Sequence, residues 1–238
     1  VIGSGFTGAF AEEAQLSEAL LRPLPQGVDY ATGAGFTLAY LTAYVSLVRR
    51  AELQAGEFLL VHGASGGVGL AAVDLGRALG ARVIATASNE IKRNFLLRYG
   101  AEHVLPSSGF RETVKAITAG RGADVIYDPV GGDVFDESTR CINFNGRLLV
   151  VGFASGRIPS INANIPLIKG FSVVGVRAGE YGRRDPAKGR ENIQTIDRML
   201  AEGKLHPYTG ARFDLDHAVD AMRMLSERKA MGKVIVEP

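Results

Sequence analysis

Cysteine, tryptophan and histidine are scarce in this chain of 238 residues, which holds one cysteine, no tryptophan and four histidines. The single thiol, Cys141, can close no internal disulfide and build no cysteine zinc site, so a reducing compartment is expected, with the cytoplasm as the address. His62, His103, His206 and His217 stand at no metal-ligand spacing, which assigns them to the core or the surface and leaves no expected metal. Net charge is also small, +2, and the cations are scattered, which argues against nucleic acid as the main partner. No apolar run is expected to reach membrane-spanning length and no signal-like start is present, so no membrane partner is expected either. The first residue is Val1, inside an expected strand Val1-Ile2-Gly3, so a preceding segment is expected.

What the chain has is glycine, 30 residues of it, and 46% hydrophobic content, enough for one good core and part of a second. The most informative glycines lie in Gly63-Ala64-Ser65-Gly66-Gly67-Val68-Gly69, between the apolar run Glu57 to His62 and a helical-period stretch from Val68 to Leu79. A buried strand that turns through glycines into a helix aims unpaired N–H groups and the positive end of the helix dipole at one small volume, which suits a pyrophosphate. Gly66 would let the backbone approach phosphates and Gly69 would let the helix pack on the strand. Ala64 replaces the first Gly of the strict G-x-G-x-x-G pattern, and Gly80 is the expected C-cap. Gly66, Gly67 and Val68 are therefore expected to bind a dinucleotide.

Around this turn, strands and helices alternate. The pattern predicts a buried helix over 33–53, then strand 57–62, helix 68–79, strand 82–87, helix 90–99, strand 103–105, helix 110–119, strand 124–128, helix 133–142, strand 147–152 and strand 171–176. Continuous apolar strands separated by amphipathic helices mean a parallel sheet covered on both sides, so the expected fold is α/β with a doubly wound six-stranded parallel Rossmann sheet over residues 36–180. Beyond a charged stretch from Arg183 to Arg190, helices near 191–202 and 216–227 and a strand from Lys233 to Val236 are expected to pack with the N-terminal residues as a second domain, residues 1–35 and 181–238 together.

The cofactor is read from the end of the second sheet strand, Thr86-Ala87-Ser88-Asn89, where NAD sites place a carboxylate on the ribose. None stands there. Lys92 and Arg93 lie in the first turn of the next helix, where a cation opposes the dipole, and a ligand phosphate would account for them. NADPH is the expected cofactor, with Ser88 and Lys92 at its 2′-phosphate; plain surface placement is the alternative.

With these features in place, the chain resembles the zinc-independent quinone oxidoreductases of the medium-chain dehydrogenase/reductase superfamily. The resemblance rests on Phe36-Thr37-Leu38-Ala39-Tyr40-Leu41-Thr42-Ala43-Tyr44, Val61 to Gly69, Tyr127-Asp128-Pro129-Val130-Gly131-Gly132, Gly146-Arg147-Leu148-Leu149-Val150-Val151-Gly152 and Gly232-Lys233-Val234-Ile235-Val236. It implies that residues 1–35 and 181–238 are the remnant of an incomplete GroES-like substrate domain, and that most of that domain, with a tyrosine offered as proton donor, is absent here. A catalytic-zinc ligand of zinc-dependent relatives would fall near Leu38, which cannot bind metal.

Without zinc to polarise a carbonyl, the implied reaction is hydride delivery from NADPH to an acceptor already electrophilic, a quinone or a conjugated carbonyl alkene. The resemblance places Thr42 near the nicotinamide; a helix hydroxyl bonded back to a carbonyl is the equal alternative, and no catalytic residue is assigned. Val130, Gly131, Gly152, Phe153 and Ala154 follow the fourth and fifth strands and are read as a wall around ribose and nicotinamide. Asp128 is read as equally able to cap the turn before Pro129. Ser107, Tyr181 and Lys233 are further candidates for the adenosine phosphate, the pyrophosphate or the cleft. The apolar strand 171–176 is an expected sheet edge, and the resemblance implies a homodimer through it. Two other readings stay open: an enoyl-thioester or 2-alkenal reductase, although Ser107 stands where those domains carry an acidic residue, and a crystallin-like NADPH-binding protein with little turnover.

Overall fold

A computed structural model of the chain describes residues 1–5 and 7–238. Six strands form one parallel sheet: β3 (Phe58–Val61), β4 (Arg82–Ala87), β5 (His103–Pro106), β6 (Ala123–Asp128), β7 (Ile142–Val150) and β8 (Ser172–Gly175). Their spatial order is β5-β4-β3-β6-β7-β8, so the chain reverses direction across the sheet between β3 and β6. A doubly wound sheet with this order carries its ligand crevice where that reversal occurs, at the carboxyl ends of the strands.

Each face of the sheet has its own core. Leu59, Val61, Val83, Ala85, Val125, Tyr127 and Leu149 point to one side, under α1 (Tyr30–Tyr44), α2 (Gly67–Ala78) and α3 (Glu90–Tyr99). Phe58, Leu60, Ile84, Ile126 and Leu148 point to the other, under α4 (Arg111–Ile117), α5 (Gly132–Ser138) and α6 (Asn164–Lys169). Burial on both sides explains why these strands are apolar without alternation.

The first long helix departs from the expected 33–53. It starts three residues earlier, because the Asp29 side chain accepts from the Thr32 N–H and caps it, and after Tyr44 it widens into π-helical bonding over Val45–Arg50. Ser46 Oγ donates to Thr42 O at 2.6 Å, and Thr42 Oγ1 to Leu38 O at 2.7 Å, so hydroxyls compete with the ladder just before the widening. Within the 21-residue run Tyr30–Arg50 an 18-residue window of mean hydropathy 1.3 meets the length and composition of a bilayer-crossing helix, a run the sequence reading did not expect, and a buried core helix has the same character. In its most apolar window 61% is buried inside the protein.

One other prediction is corrected. The helix expected over 133–142 ends at Ser138, since Cys141 and Ile142 turn to pair with Ala123 and extend β7 backwards. Beyond β8 come two helices, α7 (Ala178–Arg184) and α8 (Pro186–Ala201), then β9 (Thr209–Asp214), α9 (Ala218–Ser226) and β10 (Lys233–Glu237). β9 and β10 form a separate parallel pair, and β1 (Ile2–Gly3) pairs antiparallel with β2 (Leu21–Arg22). The N-terminal segment and the tail are joined by ion pairs: Arg22 Nε to Asp197 Oδ2 at 2.8 Å, and Arg212 Nη2 to Asp29 Oδ2 at 2.5 Å. Arg22 also donates to Thr37 Oγ1 at 2.6 Å, tying β2 to α1.

Candidate dinucleotide site

The glycine turn leaves β3 with Gly63 at φ +55 and enters α2 through Gly66, an N-cap with no side-chain bond to the helix. The Gly66 N–H donates to Gly63 O at 3.0 Å, and Leu70 N donates to Gly66 O at 2.8 Å. The N–H groups of Val68 and Gly69, in the first turn, meet no acceptor among the described residues. Unfilled donors at the positive end of a 12-residue helix make an anion site.

Gly69 and Gly66 differ in what surrounds them. A Cβ at Gly69 would stand 2.4 Å from Gly63 O and 2.8 Å from Ala64 Cα, so glycine there is required by helix–strand contact. A Cβ at Gly66 would meet only Gly63 O, at 3.4 Å, an ordinary contact. Nothing in the protein demands glycine at Gly66, and the space above it is open.

The tail closes this turn from the side. Gly232 N donates to Ser65 O at 2.8 Å, and Gly66 and Gly232 form a parallel bridge. That contact lays the stem of Lys233 between α1 and α2; a Cβ on Gly35 or Gly67 would fall 3.2 and 2.8 Å from its Cβ and Cδ. Burial pulls the Lys233 ammonium below the usual lysine range, and among the described residues it has no carboxylate partner. The Lys233 stem thus packs on Gly67, the first residue of α2, beside the positive end of the helix.

At the neighbouring strand ends, Asn89 caps α3 by accepting from Lys92 N at 2.9 Å, leaving Ser88 exposed. Pairing of Ala87 with Pro106 sets Ser88 beside Ser107 at two adjacent strand ends. Lys92 is half-buried, which lowers its ammonium, and its Nζ donates to Arg228 O at 2.6 Å. One of its three donors therefore has a protein acceptor, which sequence reasoning did not foresee. Arg228 also reaches the other wall, with Nη2 donating to Ala154 O at 3.3 Å. This arginine, with φ +57, spans the strand ends; no local sequence signal marks it, because its position is set by the chain returning after α9.

Val130 and Gly131 follow β6, and their N–H groups donate to Asp128 Oδ1 at 2.8 and 2.9 Å, so Asp128 caps the turn. Burial raises that carboxyl and the two N–H groups oppose the rise. Gly152, Phe153 and Ala154 follow β7 and are laced to the same turn: Gly152 N donates to Asp128 O at 3.4 Å and Ala154 N to Pro129 O at 3.1 Å. A Cβ at Gly63 would meet Val130 Cγ2 at 3.3 Å, and one at Gly131 would meet Phe153 Cδ1 at 3.1 Å, so the wall and the glycine turn are contiguous. Thr42 donates its hydroxyl to Leu38 O, and among the described residues no hydrogen bond links it to turn or wall. Tyr181 sits in α7, also without a hydrogen bond to them.

His62, at the end of β3, is buried between Thr86 Oγ1 (3.1 Å from Nδ1) and Ser138 Oγ (2.8 Å from Nε2), and burial lowers it to about 3. It is a neutral core residue that joins β3, β4 and α5. Among the described residues no three His, Cys, Asp or Glu side chains gather as a metal's ligands, and Leu38 is exposed on α1.

A doubly wound parallel sheet, a glycine turn with open N–H groups and a wall at the switch point define a dinucleotide-binding domain. The chain belongs to the zinc-binding dehydrogenase family, whose model matches residues 67–198. It is similar to a quinone oxidoreductase-like protein 2 homolog of Nematostella vectensis, 40% identical over 240 residues, which cover 99% of this chain and 65% of that relative. The chain thus spans about two thirds of the length of that relative. Among solved structures it is similar to a probable oxidoreductase from Mycobacterium abscessus, with TM-score 0.89 and 32% identity over 99% of this chain and 72% of that one. It is also similar to the quinone oxidoreductase from Thermus thermophilus, solved alone and with NADPH, with TM-score 0.86 and 31% identity over 99% of this chain and 75% of that one.

Proposed function

We propose that this chain binds NADPH across the carboxyl ends of β3, β4, β6 and β7, and that with its substrate domain it reduces quinones or conjugated carbonyl alkenes without a metal. The observation that carries this reading is the open α2 N-terminus, at a turn whose Gly66 leaves room for a ligand, with the stem of the carboxylate-free Lys233 packed on the first residue of the same helix. The donor set fits a diphosphate. Val68 and Gly69 N–H with Lys233 would hold it, Ser88, Lys92 and Ser107 would face the adenosine phosphate, and Val130, Gly131, Gly152, Phe153, Ala154 and Thr42 would border the ribose and nicotinamide. When bound, the cofactor supplies a hydride. The protein's part is to orient the ring, exclude water and cap the turn through Asp128, leaving the acceptor's own electrophilicity to take the place of a Lewis acid.

Residues 1–35 and 181–238 are assigned to the substrate side of the molecule, and β8 to a dimer contact. β8 ends the sheet, with Val173 exposed, and an unpaired parallel edge of this kind is a template for a second copy.

The experiment is a comparison of NADPH and NADH oxidation by the full-length enzyme over a panel of quinones, alkenals and enoyl thioesters, repeated for Lys92→Glu. Preference for NADPH and quinone, with the NADPH preference lost in Lys92→Glu, supports the reading. Equal use of the two cofactors overturns the 2′-phosphate assignment, turnover confined to enoyl thioesters overturns the acceptor, and NADPH binding without turnover of any acceptor favours the crystallin-like role.

A further inference from the structure

On the sheet face opposite α1–α3 lies a cavity of about 590 Å³ between α4, α5 and the segment leading into α6. Four cations line it: Arg111 and Lys115 from α4, Arg140 just past α5, and Lys169 at the end of α6. Asp136 is the sole carboxylate among its lining residues, and it is already paired with Arg157.

The nearby carboxylates are committed elsewhere. Glu112 takes the Arg111 guanidinium at 2.6 Å, Asp133 takes Arg157 at 2.8 Å, and Glu137 accepts from the backbone N–H groups of Gly109 and Arg111 at 3.0 and 2.9 Å. Among the described residues, Lys115, Arg140 and Lys169 have no carboxylate within ion-pair distance. Lys169 is fixed by donating to Thr139 O at 2.8 Å, and its ammonium is lowered by burial and then by repulsion from Lys115, Arg140 and Arg111. Lys115, Arg140 and Lys169 thus lie together with no direct ion-pair partner, although Glu137 and the Asp133–Asp136–Arg157 group stand close by, so the cavity presents cationic heads that are free to take an anion. Ile161 and Ile165 add an apolar wall, and Ser160 and Asn162 add polar groups.

We propose that this cavity is a second anion site, separate from the glycine turn, which takes a soluble phosphate ester or polyphosphate carrying at least two negative charges. It shares no lining residue with the turn, so it stands whether or not NADPH binds there. Two or three charge-assisted contacts around a cavity of this size suit a phosphorylated metabolite better than an isolated halide. The apolar wall would receive the uncharged part of such an ester.

The test is titration of inorganic pyrophosphate into the full chain by calorimetry at constant ionic strength, for wild type, the double variant Lys115→Ala/Arg140→Ala and, as a control for the glycine turn, Lys233→Ala. The expected result is about tenfold or greater weakening in the double variant, the loss of charge-assisted contacts, with at least one binding event kept in Lys233→Ala. Lys115 lies on surface helix α4 and Arg140 in the exposed turn past α5, and circular dichroism checks that the double variant is folded. Backbone shift changes at residues 111–115, 139–140 and 160–169 of the wild-type chain, alongside those expected at the glycine turn, give the same reading without any variant. Unchanged pyrophosphate affinity in the double variant, shift changes confined to the glycine turn, or a chloride effect equal to that of pyrophosphate at matched ionic strength would each overturn the proposal.

Discussion

Gly66 and Gly69 lie three residues apart in one turn, and the same substitution at each is expected to fail for opposite reasons. In Gly69→Ala the new methyl meets backbone, Gly63 O at 2.4 Å and Ala64 Cα at 2.8 Å, so strand or helix has to move. Overpacking of this kind costs about 1–3 kcal/mol, offset in part by about 1 kcal/mol from replacing a helical glycine. Because the methyl strikes backbone rather than a flexible side chain, the cost falls toward the upper end, and a net loss of about 2 kcal/mol corresponds to a Tm drop of roughly 4–8 °C in a chain of this size. In Gly66→Ala the backbone is already at φ −82, ψ 168, where alanine is at ease, and the methyl meets only Gly63 O at 3.4 Å. Stability should move by no more than about 1 kcal/mol, since a poorer N-cap and a less flexible unfolded chain oppose each other. The methyl is expected to take up room that a phosphate over the Val68 and Gly69 N–H groups needs. Losing one charge-assisted bond to a phosphate, about 1.5–3 kcal/mol, weakens NADPH about 10- to 100-fold. Thermal denaturation by circular dichroism and fluorescence titration with NADPH measure the two effects. Wild-type affinity in Gly66→Ala would show that no diphosphate sits over this turn, and an unchanged Tm in Gly69→Ala would show that the helix–strand contact tolerates a side chain.

Lys233→Met keeps an unbranched stem against Gly35 and Gly67 but removes the ammonium; NADPH affinity by titration should fall about tenfold while Tm is held or rises, because a buried cation without a partner is lost. His62 has an unfolded value of 6.5 and a folded value of about 3, so between these the unfolded state binds more protons and stability falls as pH is lowered through that window. Urea denaturation should show a slope of about 1.4 kcal/mol per pH unit below about pH 6 from this group, absent in His62→Gln. Val173→Lys puts a charge on the exposed edge of β8, and light scattering should report a shift from dimer to monomer; a dimer of unchanged mass would place the interface elsewhere.

The central sheet was legible because its inner strands β3, β4 and β6 are buried on both faces and its helices on one. Runs such as Phe58 to Val61 and Val83 to Ala87 carry that information locally, and so does the glycine turn, where strand, glycines and helix are contiguous in sequence. Elements whose cause lies elsewhere in the chain were not legible. The π-helical turn after Tyr44 coincides with hydroxyl back-bonds and with Arg49 reaching Asn192 Oδ1 at 2.9 Å, a partner far along the chain. Strand β9 has a half-buried, polar pattern and exists through its pairing with β10. Asp29 is the exception: its capping signal was present in the sequence, and the helix start was still placed at Gly33 rather than Tyr30.

The site divides along the same line. Its floor comes from contiguous residues, Gly63 to Gly69, while its closing groups, Arg228, Gly232 and Lys233, arrive from the far end of the chain. They are held by three backbone acceptors: Arg228 O takes the Lys92 ammonium, Ala154 O takes the Arg228 guanidinium, and Ser65 O takes the Gly232 N–H. Carbonyl oxygens position these cations without neutralising them, so positive charge accumulates beside a helix N-terminus that is itself positive. An anion placed there relieves repulsion between turn and tail as well as filling the open N–H groups. Dinucleotide binding should therefore strengthen the contact of the tail with α2 and α3, coupling the cofactor domain to residues assigned to the substrate side.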